Sequence, residues 1–163
     1  METQGLNLFI VDDNKLMVND LKQYLQNKFG QSVRVSTFYD GKSCLEMVDK
    51  KTDVVILDYF LEGESGLDVL KSIKSINPKT EVIMLSSNED MGLAIQTFRE
   101  GAKDYVIKGN GARSKITGLL RLIITEPIRL MVREFGVSKF MATFLFTFVI
   151  MGIVVFTMLQ LLK

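Results

Sequence analysis

Six positions carry side chains whose chemistry becomes interesting when they are grouped: Asp12 and Asp13, Asp58, Ser86 and Ser87, and Lys108. Each group directly follows a short apolar run: Leu6 to Val11, Val54 to Leu57, Val82 to Leu85, and Tyr105 to Ile107. Three carboxylates gathered in one place repel, so they are stable only with a cation among them. An all-oxygen set without His or Cys suits a hard ion that keeps some of its waters, and Mg²⁺ is the expected one. With that charge neutralised, one carboxylate can attack a phosphoryl group and form an acyl phosphate. A metal ion, an ammonium and a hydroxyl then stabilise the charge spread over the transferred oxygens. Taken singly, the pieces say less. An Asp pair after a strand is also a turn or capping signal, and Ser-Ser serves the same purpose. Asp58 is the most informative, because an acid ending the buried run Val54-Val55-Ile56-Leu57 needs a partner or a function.

Convergence depends on the elements that carry these residues. Val54 to Leu57 and Val82 to Leu85 are continuous apolar runs, as strands buried on both faces should be. Leu6 to Val11, Val33 to Phe38 and Tyr105 to Ile107 supply three more strands. Helical patterns lie between and after them, at Leu16 to Phe29, Lys42 to Lys50, Leu67 to Ser75, Met91 to Glu100 and Ser114 to Thr125. Five β–α repeats predict an α/β fold, a doubly wound parallel sheet covered by helices on both sides. Right-handed crossovers place every strand's C-terminal end on one edge, where ligands of such sheets gather.

These segments resemble the receiver domain of bacterial two-component response regulators over residues 5–125. The resemblance rests on LFIVDDN at 8–14, VVILDYFLEGESGLDVL at 54–70, VIMLSS at 82–87 and GAKDYVIKG at 101–109. It implies a flavodoxin-like (βα)5 fold with Asp58 as phosphoacceptor. It implies Mg²⁺ bound by Asp13, Asp58 and the main-chain carbonyl of Phe60, with Asp12 completing the acidic pocket through water. Ser86 resembles the switch hydroxyl, Lys108 its ammonium partner, and Tyr105 the aromatic that follows the switch. Phe60 and Asn88 are expected to flank the phosphoryl group and to modulate its lifetime. The implied donor is a histidine kinase or phosphotransfer protein, and the implied output is an altered surface for a downstream protein. Self-phosphorylation and slow self-hydrolysis are expected, but not substrate turnover. Gly109 stands where the family usually has Pro, so the loop Gly109-Asn110-Gly111 is expected to be looser than usual.

Composition narrows the classes further. The 163 residues hold no His, which excludes His bases, His ligands and a phosphohistidine on this chain; the single Cys44 excludes an intrachain disulfide. Residues 1–111 carry 13 Lys/Arg against 17 Asp/Glu, whereas 112–163 carry 7 against 2. An acidic front therefore meets a basic, apolar back. From Phe140 to Leu162 there are 23 uncharged residues, 18 of them apolar, bracketed by Lys139 and Lys163. As a helix this run is roughly 34 Å long, enough for a hydrocarbon core of about 30 Å, so a transmembrane helix is expected at 140–162. Residues 126–139 read as a basic juxtamembrane connector, with Ile128, Met131, Val132 and Phe135 at helical spacing and Arg129 and Arg133 on another face. Pro127 is expected to break or kink the preceding helix. Met1 to Leu8 lacks the pattern of a signal peptide. The positive flank before the span points to a receiver on the cytoplasmic side, and with the resemblance this implies a single-pass protein of the bacterial inner membrane. The basic tail is better explained by a membrane than by nucleic acid.

Two other readings use the same residues. In one, the receiver fold is a membrane-tethered adaptor that works without phosphorylation, although an adaptor has no need of a carboxylate cluster. In the other, the chain is a haloacid-type phosphohydrolase. That family places two acids as Asp-x-Asp after its first strand, whereas Asn14 stands at the second position here.

Overall fold

Strands covered on both faces need unbroken apolar runs, and the five expected ones form a single parallel sheet. The computed structural model describes residues 5–135 and 137–161, with side chains described for 5–125, 143–144, 146–158 and 160. In chain order the elements are β1 (Leu6–Val11), α1 (Lys15–Phe29), β2 (Val33–Phe38), α2 (Gly41–Met47), β3 (Val54–Asp58), β4 (Phe60–Leu61) and β5 (Glu64–Ser65). They continue with α3 (Gly66–Ile76), β6 (Glu81–Ser86), α4 (Met91–Arg99), β7 (Asp104–Ile107), α5 (Ala112–Phe135) and α6 (Val137–Leu161). The sheet order is β2-β1-β3-β6-β7, while β4 and β5 form a separate antiparallel pair. Strand order reverses between β1 and β3, which makes their C-terminal ends the switch point of the sheet.

Two compact units divide the chain, at residues 1–119 and 120–163. In the first, alternate strand residues point to opposite faces. Phe9, Val11, Val55, Leu57, Val82 and Met84 join Leu67, Leu70 and Ile73 of α3 in one buried cluster. Their neighbours Leu8, Ile10, Ile56, Ile83 and Leu85 are equally buried on the other side. Cys44 lies inside the first cluster, and burial, reinforced by the Asp40 and Glu64 charges, pushes its thiol up to about 12. A thiol so placed acts as a small apolar core residue rather than a nucleophile.

Helix α2 stops at Met47, three residues before the expected end. The Asp49 carboxylate accepts from the Lys51 N–H at 2.8 Å, and the Thr52 hydroxyl accepts from the Asp49 N–H at 3.1 Å. These local bonds offer the backbone an alternative to further helix. The expected break at Pro127 is also absent, since α5 continues through it to Phe135. Proline costs that helix one i→i−4 hydrogen bond, to the Ile123 carbonyl, and the helix tolerates the loss.

The expected span at 140–162 is not found: among the described residues no helix is long and apolar enough to cross a membrane. The side chains of the connector residues Ile128, Arg129, Met131, Val132, Arg133 and Phe135, and of Lys139, lie outside the described residues.

Where β3 hands over to α3, the chain closes on itself. The Gly66 N–H donates to the Tyr59 carbonyl at 3.0 Å, and a Cβ at Gly66 would lie 2.1 Å from the Asp58 carbonyl oxygen. Because that oxygen belongs to the backbone, a side chain here displaces the end of β3. Gly66→Ala is expected to cost about 1–3 kcal/mol of stability, in the range of overpacked interiors. Urea unfolding checks this; an unchanged midpoint would contradict the close approach.

Candidate functional site

Parallel register delivers the first two acids. Val11 pairs with Leu57, so the residues that follow, Asp12 and Asp58, leave neighbouring strands side by side. Both are buried, with 2% and 3% exposure, while Asp13 is exposed. One carboxylate oxygen from each of the three lies within 4.8 Å of the others. Local bonds hold the pair in place. Asp12 Oδ1 accepts from the Asn14 N–H at 2.9 Å, and Asn14 in turn caps α1 by accepting from the N–H groups of Leu16 and Met17. Asp58 Oδ1 accepts from the Phe60 N–H at 3.3 Å, which brings the Phe60 main chain beside the pocket. The Phe60 ring is 48% exposed and packs edge-on against Tyr59 at 4.8 Å between centroids.

Strands β6 and β7 supply the hydroxyl and the cation. Ser86 pairs with Ile107, and the Lys108 N–H donates to the Ser86 carbonyl at 2.7 Å. From that anchor Lys108 reaches across the edge, its Nζ 2.8 Å from both Asp12 Oδ2 and Asp58 Oδ2. The contact to Asp58 is a hydrogen bond; that to Asp12 is an ion pair whose geometry falls short of a directed bond. Gly109 follows with φ +148°, a backbone angle that L side chains rarely adopt, so glycine rather than proline sets this turn. Lys108 is held between its carboxylates with that glycine in place.

Ser86 is fully buried, and its Oγ accepts from the Asn88 N–H at 3.0 Å. The Asn88 side chain is used within its own loop, accepting from the Asp90 N–H at 2.9 Å. Its carbonyl accepts from the Tyr105 hydroxyl at 2.9 Å, so the buried Tyr105 is bonded to the loop that begins at Ser86. Asp12, Asp13, Asp58 and Lys108 therefore form one group, and Ser86, Asn88 and Tyr105 form a second beside it, joined by the backbone bond from Lys108 to Ser86.

Burial works against the charged form of Asp58 and raises its pKa; Lys108 opposes the shift, Asp12 adds to it, and the net change is upward. For Lys108, burial would lower the pKa, but the carboxylates of Asp12 and Asp58 beside it outweigh that and hold the ammonium above its usual range. One ammonium facing three carboxylates leaves excess negative charge on an all-oxygen donor set. That arrangement fits a hard divalent cation and no soft one.

Three supporting residues escaped the sequence reading. Asn14 carries a readable signal, as a capping residue directly before a helix. Lys115 of α5 donates to the Tyr105 carbonyl at 2.8 Å and pairs with Asp104 at 2.8 Å, a contact across ten residues with no local signature. Glu64, at the end of the β4–β5 turn, accepts from the N–H of Gly41 across 23 residues.

Comparison with known proteins agrees with this geometry. The model of the response regulator receiver domain family matches residues 8–120. The chain is 32% identical over 102 residues to the DNA-binding transcriptional regulator NtrC of Escherichia coli strain K12, covering 62% of this chain and 21% of that protein. It is 31% identical over 107 residues to the chemotaxis protein CheY of Listeria monocytogenes, covering 63% of this chain and 86% of that protein. Among solved structures, the BeF3-activated receiver domain of DrrB superposes with a TM-score of 0.64 at 30% identity, over 73% of this chain and 97% of that one. The chain thus spans about a fifth of NtrC but most of CheY. Through its fold, its acidic edge and these similarities, the chain belongs to the response regulator receiver domain family.

Proposed function

We propose that Asp58 accepts a phosphoryl group from the phosphohistidine of a separate histidine kinase or phosphotransfer protein, with Mg²⁺ as cofactor. Receiver domains are phosphoacceptors of two-component systems; what is proposed is the role of each residue. The observation that carries it is Lys108 Nζ placed 2.8 Å from both Asp12 and Asp58 beside a third carboxylate. A carboxylate oxygen of Asp58 forms the new P–O bond, the donor's P–N bond breaks, and its electron pair returns to the imidazole. Asp12, Asp13, Asp58 and the Phe60 carbonyl would hold Mg²⁺, which when bound offsets charge on the phosphoryl oxygens. Lys108 supplies the fixed positive charge on the other side.

The Ser86 hydroxyl turns toward the phosphoryl group once it is present and donates to it, and in turning its oxygen leaves the Asn88 N–H. The Asn88 carbonyl in turn accepts from the Tyr105 hydroxyl, so Tyr105 moves with the loop and changes the surface offered to a downstream protein. The chain is a phosphoacceptor with slow self-hydrolysis rather than a turnover enzyme.

Attachment to the bacterial inner membrane, with the receiver on the cytoplasmic side, belongs to the same proposal. Support comes from the 23 uncharged residues at 140–162, the Lys/Arg excess before them, and the exposure of Phe144, Phe146, Phe148 and Phe156 on α6. Tethering would raise the receiver's effective concentration near a membrane-bound kinase.

Incubating the full chain with Mg²⁺ and a small acyl-phosphate donor is expected to add one phosphoryl mass, and Asp58→Asn to abolish the adduct. A variant labelled as fully as wild type would remove Asp58 from its role and favour the adaptor reading. The same substitution reports on the charge cluster. Because burial raises the folded-state pKa of Asp58, its contribution to stability is lost as pH rises from the ordinary carboxylate value through the raised one. Without Mg²⁺ at pH 7, Asp58→Asn is therefore expected to melt higher than wild type, and saturating Mg²⁺ to narrow the gap; a lower melt for the variant would contradict the repulsion. Replacing Phe60 by Ser should shorten the lifetime of the adduct by admitting water, and an unchanged decay rate would refute that role. Finally, the full chain should stay with membranes through alkaline carbonate extraction, whereas a chain ending at residue 139 should not. Release of both would exclude an integral anchor.

A further inference from the structure

The segment that leaves β3 after Asp58 and returns to α3 is only two residue pairs of antiparallel ladder, Phe60 with Ser65 and Leu61 with Glu64. A hairpin of that length does not hold its own shape in water. Its base is fixed by the Gly66 N–H bond to the Tyr59 carbonyl, and Leu61 is buried in the core cluster. The returning strand needs a tie of its own. Glu64 makes it, accepting the Gly41 N–H at the first residue of α2. Asp40, the cap of that helix, accepts from the Ser43 N–H instead, so the Gly41 N–H is served by Glu64.

Gly41 is what allows the carboxylate in. A Cβ there would lie 2.4 Å from Val69 Cγ2 and 2.7 Å from Glu64 Oε1. Sequence position 41 thus leaves room for both α3 and the Glu64 side chain, 23 residues away. Glu64 itself has no contact with Asp12, Asp58 or Lys108 in the bonds of the site. Its effect passes along the ladder to Phe60, whose N–H meets Asp58 Oδ1.

We propose that Glu64 is a positioning residue for phosphoryl acceptance: its bond to the Gly41 N–H holds the β4–β5 hairpin so that the Phe60 main chain stays at the acidic pocket. This rests on the assignment of the Phe60 carbonyl and Asp58 to the Mg²⁺ set. Small displacements of a group that orients ligands cost affinity out of proportion to the bond lost.

The test separates reach from charge. Glu64→Gln keeps the length and a carbonyl acceptor but loses the charge; Glu64→Asp keeps the charge but is one methylene too short. Calorimetric titration of the full chain with Mg²⁺ should show Glu64→Gln close to wild type. Glu64→Asp and Glu64→Leu should bind about fivefold more weakly or worse, in line with the loss of outer-sphere support at metal sites. Adduct formation with the acyl-phosphate donor should slow in the same two variants. Circular dichroism melts check that each variant is folded, and Glu64→Asp, which keeps nearly all of the bulk, serves if Glu64→Leu is not. Equal Mg²⁺ affinity in all variants, with or without a loss of melting temperature, would overturn the proposal and leave Glu64 a purely structural residue. Weakening by Gln but not by Asp would also overturn it, in favour of a charge effect. If wild type binds no Mg²⁺, the underlying site assignment fails and this proposal falls with it.

Discussion

One ammonium between two buried carboxylates organises the edge of this sheet. Lys108 lies 2.8 Å from both Asp12 and Asp58, on strands that are not its neighbours in sequence. Burying two carboxylates costs several kcal/mol unless their charge is met, and removing one partner of such a group leaves the rest uncompensated. The parallel register therefore has to be right on both sides of the switch point at once. Val11 must meet Leu57 for the acids to face each other, and Ser86 must meet Ile107 for the lysine to reach them. A slip of one residue on any of these strands would carry its site residue to the opposite face of the sheet.

The same arrangement explains why the site is poised rather than satisfied. One lysine does not balance three acids, and the pKa of Asp58 is raised by its burial in spite of that lysine. The remaining negative charge suits the pocket to a hard cation. Beside it, Ser86, Asn88 and Tyr105 are joined by single hydrogen bonds that can be exchanged without unfolding a strand. Lys115 holds the backbone of Tyr105 from α5 through its bond to the Tyr105 carbonyl.

Much of this was legible in the residues. The apolar runs ending in Asp12, Asp58, Ser86 and Lys108 fall on strands, and a sheet edge gathers them as parallel topology requires. Short-range signals fared less evenly. Asp49 and Thr52 turned the backbone away from helix before the apolar pattern of α2 ran out. Pro127 did not end α5, because a forfeited hydrogen bond is a cost and not a barrier. The contacts hardest to foresee are those made over long separations by ordinary residues. Neither Glu64 reaching Gly41 nor Lys115 reaching Asp104 has a spacing that announces it. The apolar run at 140–162 is a strong pattern in the sequence, yet among the described residues no helix is long and apolar enough to cross a membrane.

The central claim is that the reactive oxygen belongs to Asp58, and chemical trapping tests it most directly. The full chain would be treated with Mg²⁺ and a small acyl-phosphate donor, then reduced with borohydride, which converts an aspartyl phosphate to homoserine. Peptide mapping by mass spectrometry would locate the product. The account predicts homoserine at position 58 and nowhere else, dependent on Mg²⁺. Homoserine at position 12 or 13, or phosphate retained on a hydroxyl such as Ser86, would contradict it.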